Sequence, residues 1–264
     1  MKQLLTIFAL LLSMQALNAQ MDERFYHPDK EWISIDSLDY QEIILYPDND
    51  TVYSTLFKPN GTPKATILYF HGNGSNISKW VGHIGPLVKD GFQIYMLDYR
   101  GYGKSTGKPT HINIAHDAQM LLDTLLMQED TSKAPLIIYG ASIGTQIATN
   151  LTMNNNEKIS ALVLDGMMTS FTDIALLTSP IEYHSQIKQF VTSPYSAKED
   201  IKEITGIKVL FIHSEEDSIP IDGARSVYEN CRCNKDFWLY EGKHIEAPLK
   251  YPELFVQYMN RLLN

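Results

Sequence analysis

Residues 135–153 read PLIIYGASIGTQIATNLTM, and the reading of this stretch decides the fold. Pro135 to Tyr139 is a short, nearly continuous apolar run, the pattern of a strand covered on both faces. Ser142 to Met153 has helical character. Between them lies Gly140-Ala141-Ser142-Ile143-Gly144, a serine framed by glycines at a cramped strand-to-helix turn. Such a turn predicts a strained backbone at Ser142, with the hydroxyl pushed out of the sheet. The next N–H and the positive end of the helix then face whatever that oxygen attacks. The plainer alternative is a Gly-rich turn in which Ser142 caps the helix.

The same texture continues in both directions. Ala65–Phe70, Phe92–Leu97, Ile159–Leu164, Ile207–Ile212 and Asp236–Tyr240 are further strand-like runs. Ile77–Lys89, Ile112–Met127, Gly223–Asn230 and Pro252–Leu263 read as helices between and after them. Strands alternating with helices predict a parallel sheet joined by right-handed crossovers. Gln41–Tyr46 and Thr51–Phe57 flank Pro47-Asp48-Asn49-Asp50, a turn sequence, and read as an antiparallel hairpin. Residues 167–204 exceed an ordinary crossover, and Pro180 and Pro194 break them into a small helical insertion. The predicted class is α/β: a mostly parallel central sheet with an N-terminal antiparallel hairpin, helices on both faces, and a short helical insertion before the acid-bearing strand.

The chain has 264 residues, 44% of them hydrophobic and 20% charged, which excludes disordered and fibrous classes. Its 31 acids against 22 bases give a net charge of -9, with no bulk attraction for nucleic acid. Cys231 and Cys233 are too few and too close for a disulfide framework. Met1-Lys2, the apolar run Leu4–Leu12 and the small Ala19 before Gln20 read as a secretory leader at 1–19. The run is short for a bilayer span, so the expectation is an exported single domain, 20–264, periplasmic or extracellular, with no lasting membrane anchor.

Ligands of open α/β sheets bind at the carboxyl ends of strands, so the residues just after each strand are the ones to inspect. Ser142 needs a base, and His244, in the short loop after the last strand, is best placed to be one. The base needs a carboxylate; Asp217 closes the acid-rich turn after Ile207–Ile212, and Asp165, which also ends a strand, is the other possibility. An oxyanion needs two donors: the N–H of Ile143, and that of Asn73 in the Gly-rich loop 71–74. No helical His-x-x-x-His pair, GxGxxG or phosphate loop occurs, so neither a metal nor another cofactor is expected.

HGNG at 71–74, DYRGYGKSTG at 98–107, GASIG at 140–144, HSEED at 213–217 and GKH at 242–244 together resemble the α/β-hydrolase superfamily. Within it the chain looks like the serine aminopeptidase-like group that includes esterase-like members, and Phe25-Tyr26-His27-Pro28 is similar to the start of some relatives. The resemblance covers the chain from about residue 25 and implies a triad of Ser142, Asp217 and His244. It also implies an oxyanion hole at Asn73 and Ile143, and a structural role for the turn containing Arg100, Gly101 and Gly103. Thr145 and Ser214 stand where relatives often have glycine.

The insertion is expected over Ser142, where Met167, Met168, Phe171 and Tyr183 would meet an acyl chain or aromatic group, or else pack the insertion onto the sheet. The partner expected is a small ester, thioester or short-peptide substrate. Three readings stand: an ester or thioester hydrolase, an amide hydrolase whose Glu182 or Asp173 holds a substrate amine, and a hydrolase fold that only binds.

Overall fold

The computed structural model describes residues 21–128 and 134–264; the expected leader at 1–19 lies outside them. The centre is an eight-stranded sheet: β1 (Tyr40–Leu45), β2 (Val52–Phe57), β3 (Ala65–Phe70), β4 (Phe92–Leu97), β5 (Leu136–Ala141), β6 (Ala161–Asp165), β7 (Lys208–Ser214) and β8 (Asn234–Tyr240). Their spatial order is β1-β2-β4-β3-β5-β6-β7-β8. β1 and β2 form the expected antiparallel hairpin, β2 runs antiparallel to β4, and every other pairing is parallel. The hairpin turn closes through Asp50 N–H to Pro47 C=O, with Asp48 at φ 55°.

Strand side chains alternate between faces, and two cores result. In β3, Ala65, Ile67 and Tyr69 enter one core, while Leu68 and Phe70 enter the other. Helix α1 (Ile77–Lys89) covers the first face with Ile77, Trp80, Ile84 and Leu87. The second face is covered by α2 (His111–Leu126) through Ile114, Leu121 and Leu125, and by α3 (Gly144–Asn154) through Ile147 and Leu151. Both faces of β3 to β6 are therefore dry, which is why these strands read as unbroken apolar runs.

Asn76 caps α1 by accepting from the Ser78 N–H, and Thr110 and Asn113 form a capping box on α2. The insertion contains three α-helices, α4 (Phe171–Thr178), α5 (His184–Phe190) and α6 (Ala197–Asp200), and a 3-10 turn at Ile181–Tyr183. Helix α7 (Ile221–Asn230) precedes β8, and α8 (Ala247–Lys250) and α9 (Pro252–Arg261) follow it. No helix among the described residues is long and apolar enough to cross a membrane.

The turn after β4, given a structural role by the resemblance, is tied down by ion pairs. Arg100 binds Asp117 through Nε and Nη2, both at 2.8 Å, and reaches Asp50 and Asp48 at 3.0 and 3.1 Å. This ties α2 and the hairpin turn to the end of β4.

Candidate active site

Strand register sets out one edge of the sheet. Ala141 is paired with Asp165 and Asp165 with Ile212, so β5, β6 and β7 approach their carboxyl ends together. Each chain segment that leaves this row carries a candidate site residue.

Ser142 leaves β5 at φ 53°, in the left-handed region, as the crowded turn predicts. The crowding is concrete: a Cβ on Gly144 would lie 2.2 Å from the Phe70 carbonyl oxygen, and one on Gly140 would lie 2.4 Å from that of Gly144. Helix α3 begins at Gly144, two residues later than its apolar pattern suggests, and has no side-chain cap. Ser142 therefore does not cap it, and among the described residues its hydroxyl has no hydrogen-bond partner. Its backbone is fixed instead, with the N–H donating to Asp165 C=O at 2.8 Å and the C=O accepting from the Thr145 hydroxyl at 2.6 Å.

The Asp217 side chain is 1% exposed, and its Oδ2 lies 2.8 Å from His244 Nδ1. Its other oxygen accepts the Ile219 N–H at 2.8 Å. A carboxylate on Nδ1 holds the imidazole proton there and leaves Nε2 as an acceptor. His213 lies 3.8 Å from the same carboxylate, but burial lowers its pKa and its Nε2 is within 3.0 Å of Ile219 C=O. Glu215 and Glu216 are exposed. The His244 ring rests on Gly166: a Cβ there would fall 2.6 Å from Cε1 and 2.8 Å from Nδ1. Asp165 C=O holds Ser142 and the next residue supports the imidazole, so both groups stand on one turn of backbone after β6.

Asp165, the other carboxylate weighed from the sequence, does not pair with His244. It is fully buried, takes the Tyr139 hydroxyl at 2.7 Å, and burial pushes its pKa up to about 7.

Two tyrosines shape the loop 71–74. Tyr99 donates to His71 C=O at 2.7 Å and Tyr102 to Asn73 C=O at 2.6 Å, and the His27 N–H also donates to Asn73 C=O at 2.9 Å. With the carbonyls engaged on that side, the N–H groups of Asn73 and Ile143 are left without partners among the described residues. Phe25 to Pro28 thus have a physical place: His27 and Pro28 pair with Gly74 and Ser75 and brace this loop.

A cavity of about 370 Å³ opens at Ser142, lined among others by Asn73, Ile143, Met168, Ile174 and Ile187. Of the four residues expected to meet substrate, Met168 lines it. Met167 lines a separate cavity of about 180 Å³ that Met168 also borders. Phe171 is fully buried and stacked on His111 with ring centroids 3.5 Å apart, so it belongs to the core. Tyr183 is half exposed and lines an adjoining cavity of about 490 Å³. Sequence reasoning missed Gly166, although a glycine directly after a strand-ending acid was a usable signal. It also missed Arg24, which lines both the Ser142 cavity and its neighbour.

A family profile for the alpha/beta hydrolase fold matches residues 65–184. The Bem46 protein of Schizosaccharomyces pombe is 34% identical over 191 residues, 69% of this chain and 62% of that protein, so the chain spans less than two-thirds of this relative. YfhR of Escherichia coli K12, named an uncharacterized protein, is 28% identical over 231 residues, 84% of this chain and 80% of that one. An esterase of Pyrococcus furiosus superposes with a TM-score of 0.70 at 19% identity, covering 90% of this chain and 100% of that one. An alpha-beta hydrolase of Vibrio vulnificus gives 0.71 at 21% identity, over 87% and 82%. Structural likeness at these identities speaks for the fold alone. Sheet order, strand-to-helix turn and family profile agree, and the chain has the α/β-hydrolase fold.

Proposed function

We propose that this chain is an exported serine hydrolase that cleaves carboxylic esters or thioesters through an acyl-enzyme. Ser142 Oγ attacks the carbonyl carbon while His244 Nε2 takes its proton, and Asp217 stabilises the resulting imidazolium. The N–H groups of Ile143 and Asn73 receive the oxyanion. His244 returns the proton to the departing alkoxide or thiolate, and a water then repeats the sequence to release the acid. The observation that carries this reading is the 2.8 Å Asp217–His244 pair resting on Gly166, the residue that follows the Asp165 whose C=O holds the N–H of a serine at φ 53°.

The choice of ester over amide rests on the cavity. Asp173 is engaged by Lys198 at 2.7 Å, Glu182 is exposed, and neither lines the space at Ser142, so the amine of an aminopeptidase substrate has no carboxylate to meet there. Export rests on the leader pattern at 1–19 and is tested by the N-terminus of the secreted protein.

Hydrolysis of a p-nitrophenyl ester panel by wild type and Ser142→Ala tests the chemistry. The variant is expected to lose on the order of 10⁶-fold in kcat. Equal hydrolysis by both would end the proposal, and a fluorophosphonate that fails to label Ser142 in the folded protein would favour a binding role.

A further inference from the structure

We propose that the substrate carries an anionic group held by Arg24, separated from the scissile carbonyl by an apolar spacer. This rests on Ser142 being the nucleophile and deepens that reading to a substrate class.

The cavity at Ser142 and its 490 Å³ neighbour share Met21, Arg24, Ser179 and Ile187, so they form one trough running outward from the serine. Met168, Ile174, Ile187 and Val191 make its inner part apolar, and Tyr183 and Phe190 line its outer part. Among the described residues, Arg24 is the only side chain of fixed charge on either lining.

This stands out in a chain of net charge -9, and the two acids that precede Arg24 in the chain are engaged elsewhere. Glu23 pairs with Lys108 at 3.1 Å. Asp22 accepts the His111 N–H at 3.0 Å, with burial raising its pKa to about 6. Arg24 itself forms no ion pair or hydrogen bond among the described residues. A guanidinium offers a planar fork of donors that fits a carboxylate, and an apolar wall on one side reduces the competition from water. A cationic substrate end is repelled from the same place.

The shared chemistry is an anion beyond an apolar spacer, on either side of the ester, and matched substrates tell the sides apart. On the acyl side, p-nitrophenyl monoesters of dicarboxylic acids, from succinate to sebacate, are compared with p-nitrophenyl alkanoates of equal length. On the alcohol side, butyrates of ω-hydroxy acids are compared with butyrates of alkanols.

At low salt the wild type is expected to favour the anionic member of the best-fitting pair by about fivefold in kcat/KM. The preference should shrink as salt rises. Arg24→Gln brings the ratio to about one, Arg24→Lys keeps part of it, and Arg24→Glu shifts it towards ω-amino esters. Each ratio is taken within one protein, so a general change in activity cancels. A wild type with no anion preference on either side, or a ratio unchanged in Arg24→Gln, overturns the proposal. Full hydrolysis by Ser142→Ala would instead overturn the nucleophile reading beneath it.

Discussion

Replacing Gly166 with alanine separates backbone strain from displacement of the imidazole. Gly166 sits at φ 59°, where an L residue costs about 1–2 kcal/mol. The added methyl would lie 2.6 Å from His244 Cε1 and 2.8 Å from Nδ1, whereas carbon atoms rest at about 3.5 Å or more. The ring must therefore retreat by about 1 Å, and a misplacement of that size in a catalytic group reduces turnover by about 100-fold. Gly206 supplies the control: at φ 75° it has nothing within 4 Å of its would-be methyl. Gly206→Ala should carry similar strain, a loss of roughly 2–8 °C in Tm, with kcat unchanged. Gly166→Ala should lose at least as much in Tm and about 100-fold in kcat on p-nitrophenyl butyrate. The reasoning fails if Gly166→Ala melts like Gly206→Ala and keeps kcat within about twofold of wild type, because the imidazole would then need no support from that peptide.

Three further substitutions test other links. Ser214 donates to Gly242 C=O and accepts the Glu216 N–H at 3.0 Å, joining the acid turn to the histidine loop. Ser214→Ala should cost about 1–2 kcal/mol by denaturant titration and lower kcat about tenfold, and an unchanged kcat would confine its role to stability. The folded pKa of Asp165 is raised to about 7 by burial, so its contribution to stability is full below about pH 4 and is lost as pH rises through 7. Asp165→Asn cannot ionise, so its Tm relative to wild type should improve from pH 5 to pH 8; a constant difference would show that Asp165 does not titrate there. Arg100 and Asp117 are 6% and 1% exposed, and a lysine cannot reproduce their two-pronged pairing. Arg100→Lys should lose about 3 kcal/mol, or about 6–12 °C in Tm, without changing kcat per titrated active site.

The strands were legible because a sheet covered on both faces erases the alternation of polar and apolar residues and leaves solid apolar runs. Edges were less so. β8 begins at Asn234, two residues before its apolar run, because a strand at the sheet margin tolerates polar side chains. The Asp217–His244 contact could be read from the loop residues at the strand ends, since a parallel register brings those loops to one rim. Phe171 could not be assigned, because an aromatic residue in an insertion looks the same in sequence whether it walls a cavity or fills a core. Arg24 was invisible for a different reason: its distinction is the lack of a partner, which depends on where every other charge has gone.

The backbone turn at Asp165 and Gly166 gives Ser142 and His244 a common datum. No hydrogen bond among the described residues joins either side chain or its backbone to α4 or α5, so those helices can be reshaped without disturbing the two residues. On the proposed function, selectivity and chemistry are thereby mechanically decoupled: α4 and α5 can be rebuilt for a new acyl chain while the rim beneath them keeps its alignment.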